Sequence, residues 1–298
     1  MSLLLNWLES LSINTTITDR CVRQISPKSS CMRCISHCQS QALSLDHTKV
    51  IVDEKKCTSC GECTVVCPVA AVEGNIPKRT LVNGMFAYSK DYCPTVKELL
   101  IYRKKGVKTL SMPDEVQDEE WAQVISGVNH HLEQLGMEPL SLDRVGKPEE
   151  RSLTRRELFV SVRKKGQSLA KELTPASWRM GIDTWSLPAN YPDMQFYQIE
   201  LDMEKCSICQ VCFKLCPKNV FTMSDSELRI DHQNCINCSL CSDICLDKAI
   251  SVSEKISEKT PTIYPLVAGT CVRCKSSFYS FQPKEHCHIC ANKPIGWL

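Results

Sequence analysis

The 298-residue sequence lacks any apolar stretch close to the roughly 20 residues that a membrane-spanning helix requires. It also lacks an excess of charge of one sign, because the formal net charge is +2, and this argues against nucleic acid as the main partner. No Lys or Arg precedes the short run Leu3–Leu5, and Glu9 follows it, which is not the pattern of a secretory signal. These absences predict a cytoplasmic protein without a transmembrane segment.

Cysteine is the residue present in excess, with 21 in the chain. At this density cysteines form disulfides or bind metal, and repeated Cys-x2-Cys spacing favours metal. Zinc fingers seldom use three evenly spaced cysteines plus a fourth, and disulfides need an oxidising compartment, so we favour iron–sulfur binding. The clearest pattern is a pair of quartets with the spacing Cys-x2-Cys-x2-Cys-x3-Cys, namely Cys206, Cys209, Cys212 and Cys216, then Cys235, Cys238, Cys241 and Cys245.

The spacing within each quartet predicts that the two ligand sets cross. Three thiolates at two-residue intervals can hold three corners of a cube, while the fourth, on a following helical turn, points to the neighbouring cube. The predicted sets are Cys206, Cys209, Cys212 and Cys245 for one cluster, and Cys235, Cys238, Cys241 and Cys216 for the other. With Pro217 after Cys216, this stretch resembles a bacterial-type ferredoxin that carries two [4Fe–4S] clusters.

An altered copy of the double quartet lies nearer the amino terminus. Its second quartet is complete and ends in Cys67-Pro68, but its first quartet lacks one cysteine. Cys21 is the candidate for the missing ligand, because the nine residues between it and Cys31 include Pro27 and three serines and can bend back. The predicted sets are Cys21, Cys31, Cys34 and Cys67 for one cluster, and Cys57, Cys60, Cys63 and Cys38 for the other.

Each copy contains two short apolar segments around a polar turn, at residues 42–52 and 220–230. This arrangement predicts a short β-hairpin in each copy. The apolar side chains of such hairpins would exclude water from the cluster sulfurs.

A different cysteine pattern lies near the carboxyl terminus. Two Cys-x2-Cys pairs twelve residues apart fit one tetrahedral metal, and their four cysteines are Cys271, Cys274, Cys287 and Cys290. The spacing resembles a zinc ribbon and also the rubredoxin-like iron module of rubrerythrins. Those iron modules usually have glycine after each pair and proline inside the second, where this chain has Lys275, His288 and Ala291. Zinc is therefore favoured, and mononuclear iron is the alternative.

The segment between the two ferredoxin-like copies has no cluster motif. Its pattern predicts a small parallel α/β layer with strands at Thr80–Tyr88, Val107–Met112 and Glu138–Leu142 and helices at Pro94–Lys105 and Asp118–Leu135. No glycine-rich phosphate loop lies at its first strand-to-helix turn, so nucleotide binding has little support. Cys93, just before the first helix, is interpreted as a buried residue rather than a reactive thiol.

These patterns predict an α+β fold with two dicluster ferredoxin-like modules on either side of a small α/β segment. Two further elements are a basic helix from Thr154 to about Leu173 and an extended strap at Trp178–Tyr191, and Ser253–Thr260 is interpreted as a polar linker. The predicted layout is an N-terminal helix (1–20), the first dicluster module (21–79), the α/β segment (80–147), the basic helix and connector (148–195), the second dicluster module (196–255) and a zinc-ribbon-like module (262–298).

The cysteine modules together resemble a polyferredoxin, or the iron–sulfur electron-transfer subunit of a larger oxidoreductase. The resemblance implies four [4Fe–4S] clusters, one zinc ion and a redox partner of the dehydrogenase or hydrogenase type, with no catalytic residue in this chain. Two alternatives remain open at this stage. One is an oxidoreductase with its chemistry in the α/β segment, and the other is an iron–sulfur assembly or regulatory protein.

Overall fold

The computed structural model describes residues 14–77, 79–145 and 185–292. Within them, short helices alternate with small open sheets, which agrees with the predicted α+β class. The predicted basic helix at 154–173 and most of the predicted N-terminal helix, residues 1–13, lie outside the described residues. None of the helices in the described ranges is long and apolar enough to cross a membrane.

Most of the helices are single turns. Those described are Val22–Ile25 (α1), Arg33–Ser36 (α2), Glu62–Val66 (α3), Val96–Lys104 (α4), Glu119–Gln134 (α5), Leu187–Asn190 (α6), Val211–Leu215 (α7), Leu240–Ile244 (α8) and His288–Ala291 (α9), and a 3₁₀ turn spans His232–Asn234.

The strands are also short. They are Thr16–Ile17 (β1), Leu43–Asp46 (β2), Lys49–Val52 (β3), Val72–Glu73 (β4), Leu81–Val82 (β5), Met85–Ala87 (β6), Thr109–Pro113 (β7), Ser141–Val145 (β8), Met194–Leu201 (β9), Phe221–Met223 (β10), Glu227–Ile230 (β11), Ile250–Glu258 (β12), Thr262–Pro265 (β13), Val267–Thr270 (β14) and Ser277–Ser280 (β15).

The chain divides into two compact units. The first contains residues 1–21 and 32–190, and the second contains residues 22–31 and 191–298. The first dicluster motif and the α/β segment are therefore in the first unit, apart from residues 22–31. The second dicluster motif and the carboxy-terminal cysteines are in the second.

The α/β segment of the first unit is a four-stranded sheet in the order β5-β6-β7-β8. β6, β7 and β8 are parallel, as predicted, but β5 is antiparallel to β6. Side-chain caps begin both helices, because Thr95 accepts a hydrogen bond from the Glu98 N–H and Asp118 accepts one from the Trp121 N–H. The core of this layer contains the fully buried side chains of Phe86, Leu99, Leu100, Trp121 and Leu132.

The prediction of one strand at Thr80–Tyr88 is wrong. Asn83 and Gly84 have φ values of 52° and 81° and turn the chain back on itself, so the segment forms the β5–β6 hairpin. An Asn-Gly pair with both φ values positive is the preferred turn of a two-residue hairpin.

The two predicted cluster-associated hairpins are confirmed. β2 pairs with β3, and β10 pairs with β11, which β13 extends to a three-stranded sheet. Leu43 and Val50 are buried in the first hairpin, and Phe221 and Ile230 are buried in the second. Each hairpin therefore places its apolar face against the protein interior.

The interpretation of Ser253–Thr260 as a linker is wrong, because β12 continues to Glu258. β12 pairs antiparallel with β9, with a shift in register between Glu254 and Ser257. Backbone hydrogen bonds hold this pair, so its solvent-facing positions tolerate serine and glutamate. The described end of the predicted strap is not extended either, since Leu187–Asn190 forms α6, while residues 178–184 lie outside the described ranges.

Candidate metal centres

The same turn follows the last cysteine of each quartet. The third residue after that cysteine is left-handed, with φ between 48° and 52°, at Gln41, Ala70, Asn219 and Lys248. At three of these turns the next N–H donates to the cysteine Sγ, over 3.3 Å from Ala42 to Cys38 and 3.2 Å from Ala71 to Cys67 and from Ala249 to Cys245. N–H groups aimed at thiolate sulfur are one of the means by which proteins tune iron–sulfur potentials.

The first three cysteines of a complete quartet lie on a second repeated loop. The residues just before and just after the middle cysteine of these three are left-handed, at Ser59 and Gly61, Ile208 and Gln210, and Asn237 and Ser239. Such alternation makes a concave nest of N–H groups that suits an anionic iron–sulfur cluster. The incomplete quartet differs, because Met32, after its first cysteine, has φ −125° and α2 starts directly behind it.

Another part of the backbone closely approaches Gly61, one of the left-handed positions of these loops. A Cβ placed there would lie 2.5 Å from the Asn75 carbonyl oxygen and 2.8 Å from the Pro77 nitrogen. Asn75 also accepts a hydrogen bond from the Thr64 hydroxyl over 3.0 Å, which fixes the crossing segment against α3. Glycine is needed here for space as well as for φ.

Gly61→Ala is therefore expected to destabilise the first unit by more than the roughly 1–2 kcal/mol that a left-handed alanine costs. Denaturant unfolding of the anaerobic protein measures the effect. Gly84→Ala is the matched control, since Gly84 has the same φ of 81° but nothing within 4 Å of an added Cβ. Equal losses in the two variants would contradict the role of close approach.

In the second unit, the first of the two crossed groups contains three half-buried cysteines and the exposed Cys209. Burial and the charges of Cys206, Cys209 and Cys245 raise the pKa of Cys212 to about 12. The group therefore combines three cysteines of one quartet with the last cysteine of the other. A thiol that binds a metal ion gives up its proton, so a group of closely spaced thiols is suited to the cationic core of an iron–sulfur cluster.

The second crossed group lines a small, partly open pocket. Burial and the charges of Cys238 and Cys216 raise the pKa of Cys235 to about 12. The same three cysteines, after burial, raise the pKa of Cys241. The pocket wall contains these four cysteines together with apolar residues that include Ile199, Val220, Phe221, Leu240 and Val252.

In the first unit, the pKa values of Cys63 and Cys67 are each affected by a cysteine from outside their own quartet, whereas Cys31 belongs to the second unit. Burial and the charges of Cys60, Cys38 and Cys57 raise the pKa of Cys63 to about 12. Burial raises the pKa of Cys67, and the charge of Cys21 adds to that effect. Cys34 is half-buried.

Backbone pairing accounts for the position of Cys21. β1 pairs with β4, and the Thr18 N–H donates to the Ala71 carbonyl oxygen over 2.8 Å, three residues before Cys21. In the second unit the Asp202 N–H donates in the same way to Ala249 over 2.9 Å, four residues before Cys206. Ala71 and Ala249 each follow the last cysteine of a complete quartet by four residues. Cys21 thus occupies in the first unit the place that Cys206 has in the second.

Residues 22–31 make their described contacts inside the second unit. The Ser30 N–H donates to the Asp243 carboxylate over 2.7 Å, and the Ser30 hydroxyl donates to it over 2.9 Å. Burial raises the pKa of Cys238. The charge of Cys216 and, to a smaller extent, that of Cys31 raise it further. The sequence offered no sign of the Ser30–Asp243 contact, because 213 residues separate the partners.

The carboxy-terminal cysteines form a compact tetrad. All four Sγ atoms lie within 4.8 Å of one another, and those of Cys274 and Cys287 are 3.8 Å apart. Four sulfurs about 2.3 Å from one zinc ion would be about 3.8 Å apart at the corners of a tetrahedron. Backbone N–H groups of Cys274 and Cys287 lower the pKa of Cys271, which favours the thiolate that zinc needs.

Cys93 lies apart from these groups, in the α/β segment. It is half-buried, and burial together with the charges of Glu120 and Asp118 raises its pKa to about 12. A raised pKa is opposite to that of a reactive thiol. Cys93 therefore lacks the surroundings of a nucleophile. The charged groups that affect its pKa include acidic residues and Arg79 but no cysteine.

An ion-pair group that the sequence patterns did not predict lies beside the first unit's complete quartet. Arg79 donates paired hydrogen bonds to both Glu62 and Glu98. Although burial opposes it, these bonds raise the pKa of Arg79. In the sequence, only the position of Glu62 directly before Cys63 pointed to this group. Arg79 and Glu98 are distant from it along the chain.

Two parts of the chain match known families. Residues 29–71 and residues 198–246 each match a family described as a 4Fe-4S dicluster domain. The chain therefore carries two such domains in tandem, as its cysteine spacing predicted, and domains of this kind indicate electron transfer. Cys21 lies outside the first matched range. The carboxy-terminal tetrad is consistent with a zinc-ribbon-like module. No curated protein matches the chain.

Proposed function

We propose that this chain is an iron–sulfur electron-transfer protein with four [4Fe–4S] clusters, acting as a subunit or dedicated partner of an oxidoreductase. The observation that supports this best is the pocket lined by Cys216, Cys235, Cys238 and Cys241, to which both quartets contribute thiols. The proposed partner is a redox enzyme of the dehydrogenase or hydrogenase type, together with an electron acceptor. A bound cluster of this type supplies one-electron oxidation and reduction.

The proposed ligand sets are the crossed sets that the cysteine spacing predicts. Within each unit, the pKa effects between neighbouring thiols support the crossing. The sets are Cys21, Cys31, Cys34 and Cys67; Cys57, Cys60, Cys63 and Cys38; Cys206, Cys209, Cys212 and Cys245; and Cys235, Cys238, Cys241 and Cys216.

The protein around these thiols would govern how readily the clusters are reduced. The N–H groups that point at Cys38, Cys67 and Cys245 stabilise negative charge on sulfur. The rings of Phe213 and Phe221 stack with centroids 5.4 Å apart beside the second domain's cysteines and exclude water there. Exclusion of water and hydrogen bonding act on the potential in addition to the ligands themselves.

The carboxy-terminal tetrad is proposed to hold one structural zinc ion, with mononuclear iron as the alternative. Four thiolates complete a tetrahedral shell and leave no position for a substrate. Apolar contacts support a structural role, since Leu266, Tyr279 and Phe281 pack in one cluster with Ile208 of the Cys206 loop. The Tyr279 hydroxyl also donates to Asp225 over 2.7 Å.

Metal analysis of the anaerobically purified chain tests the proposed function. We expect about sixteen irons per chain with a matching amount of acid-labile sulfide. Dithionite should reduce the clusters, and dyes should reoxidise them without any organic substrate.

Two results would contradict the proposal. About eight irons would mean that one dicluster domain does not hold its clusters. A flavin or nucleotide bound at one per chain, with turnover by the purified protein alone, would instead favour an enzyme with chemistry in the α/β segment.

A further inference from the structure

A buried group of three charges joins the α/β segment to a cluster loop within the first unit. Arg79 Nη1 and Nη2 donate to the two carboxylate oxygens of Glu62 over 2.6 and 2.8 Å. Arg79 Nε and Nη2 donate to the two oxygens of Glu98 over 2.6 and 2.9 Å. The side chains are 2% exposed for Arg79, 1% for Glu98 and 13% for Glu62. The Tyr92 ring lies 3.9 Å from the guanidinium carbon.

The three charged residues come from different parts of the first unit. Glu62 opens α3 and stands between Gly61 and Cys63 in the complete quartet, whereas Glu98 lies on α4, in the layer beside the sheet. Lys97, next to Glu98, donates to the Val65 carbonyl of α3 over 3.3 Å. Arg79 thus ties the helix that follows Cys60 to the first helix of the α/β segment.

The charges of this group do not balance. Two carboxylates face one guanidinium, so these three side chains carry a net charge of −1, and Lys97 places a further cation at the Val65 carbonyl. A buried ion network is often no more stable than the apolar packing that could replace it, so stability alone does not account for it. Charge close to an iron–sulfur cluster does have a direct effect, because reduction adds an electron and nearby negative charge opposes it.

We propose that the opposite charges of Arg79 and Glu62 together set the reduction potential of the cluster bound by Cys38, Cys57, Cys60 and Cys63. The inference rests on the proposed ligand set. Through Glu98, the same contact makes this potential sensitive to the position of α4.

The test compares charge variants with opposite expected signs in EPR-monitored redox titrations of the whole chain. Arg79→Gln removes the cation and should make one of the four clusters harder to reduce. Glu62→Gln removes an anion and should make the same cluster easier to reduce. We expect at least about a tenfold change in the ratio of reduced to oxidised cluster at fixed potential, which corresponds to about 59 mV for one electron.

Two further variants separate charge from stability. Arg79→Lys keeps the cation but loses the paired geometry, so it should unfold more easily while its potential stays near that of the wild type. Arg103→Gln is the matched control, because Arg103 is a buried arginine on α4 that donates to the Glu138 carbonyl instead. It should lower stability and leave all four potentials unchanged.

The inference is overturned if Arg79→Gln and Glu62→Gln shift the potential in the same direction or not at all, or if Arg103→Gln shifts it equally. Should Arg79→Gln fail to fold, Glu62→Gln and Arg79→Lys still decide between these results. The iron content of the wild type distinguishes failure of the inference about Arg79 from failure of the proposed function. If the protein binds sixteen irons but the potentials do not change between variants, only the role of Arg79 is contradicted. If the wild type lacks this cluster, both the role of Arg79 and the proposed function are contradicted.

Discussion

Replacing Cys21 by alanine is expected to remove one ligand from one of the four clusters and leave the other three intact. Loss of one corner leaves an iron atom without a protein thiolate, so the cluster should become a three-iron form or be lost, which removes about one to four irons per chain. The reason lies in the backbone, since the Thr18–Ala71 hydrogen bond brings Cys21 to the turn that follows Cys67. EPR spectroscopy and iron analysis of the anaerobic protein measure the outcome.

Cys93→Ala is the matched control for this experiment. Both cysteines belong to the first unit and are half-buried, but Cys93 has acidic residues rather than other thiols as its charged neighbours. Its replacement should leave the iron content and spectra as they are. If the Cys21 variant keeps every iron and the Cys93 variant loses some, the two roles are reversed and the first ligand set is wrong.

Replacing Cys287 by serine is expected to release the carboxy-terminal metal and unfold residues 267–292. A structural zinc site contributes roughly 10–16 kcal/mol to the folding of a small metal-binding module, far more than a hairpin of this size obtains from its own core. Cys287 is buried within the tetrad, so its loss leaves three thiolates without a closed shell. Zinc analysis and limited proteolysis of the whole chain report the two effects.

His288→Ala provides the control, because this exposed histidine follows Cys287 directly but lies outside the tetrad. It should retain zinc and resist proteolysis like the wild type. Zinc retention in the Cys287 variant would contradict the proposed shell. Redox-active iron in the tetrad of protein from the native host would make the site a further electron carrier.

Local signals in the sequence were sufficient for the cysteine motifs and for the elements around them. Ligand spacing within a quartet is a property of one loop, and the caps at Thr95 and Asp118 mark the helix starts that the structure has. The Asn83-Gly84 pair is also a local sequence signal for a turn. It was overlooked because the apolar residues on both sides of it suggested one continuous strand.

Features that depend on distant pairing could not be predicted in this way. β9 and β12 stabilise each other across some 50 residues of chain, and the polar composition of β12 suggested a linker instead. Arg79 has its partners on two separate helices, and only the folded chain brings these charges together. Cys21 was predicted only because no other upstream cysteine exists, whereas the pairing of β1 with β4 supplies a physical reason.

The left-handed residues of the cluster loops make these loops costly to fold in the absence of bound clusters. Ile208 and Gln210 have side chains that disfavour φ values of 52° and 64°, and such residues each cost about 1–3 kcal/mol unless their surroundings hold them. In the proposed protein, bonds from sulfur to iron are what hold these loops. A newly synthesised chain that meets no iron and sulfide would then have little reason to close them. Maturation of a chain with the proposed clusters would therefore depend on cluster delivery during folding, and the cell's iron supply would limit how much of it accumulates.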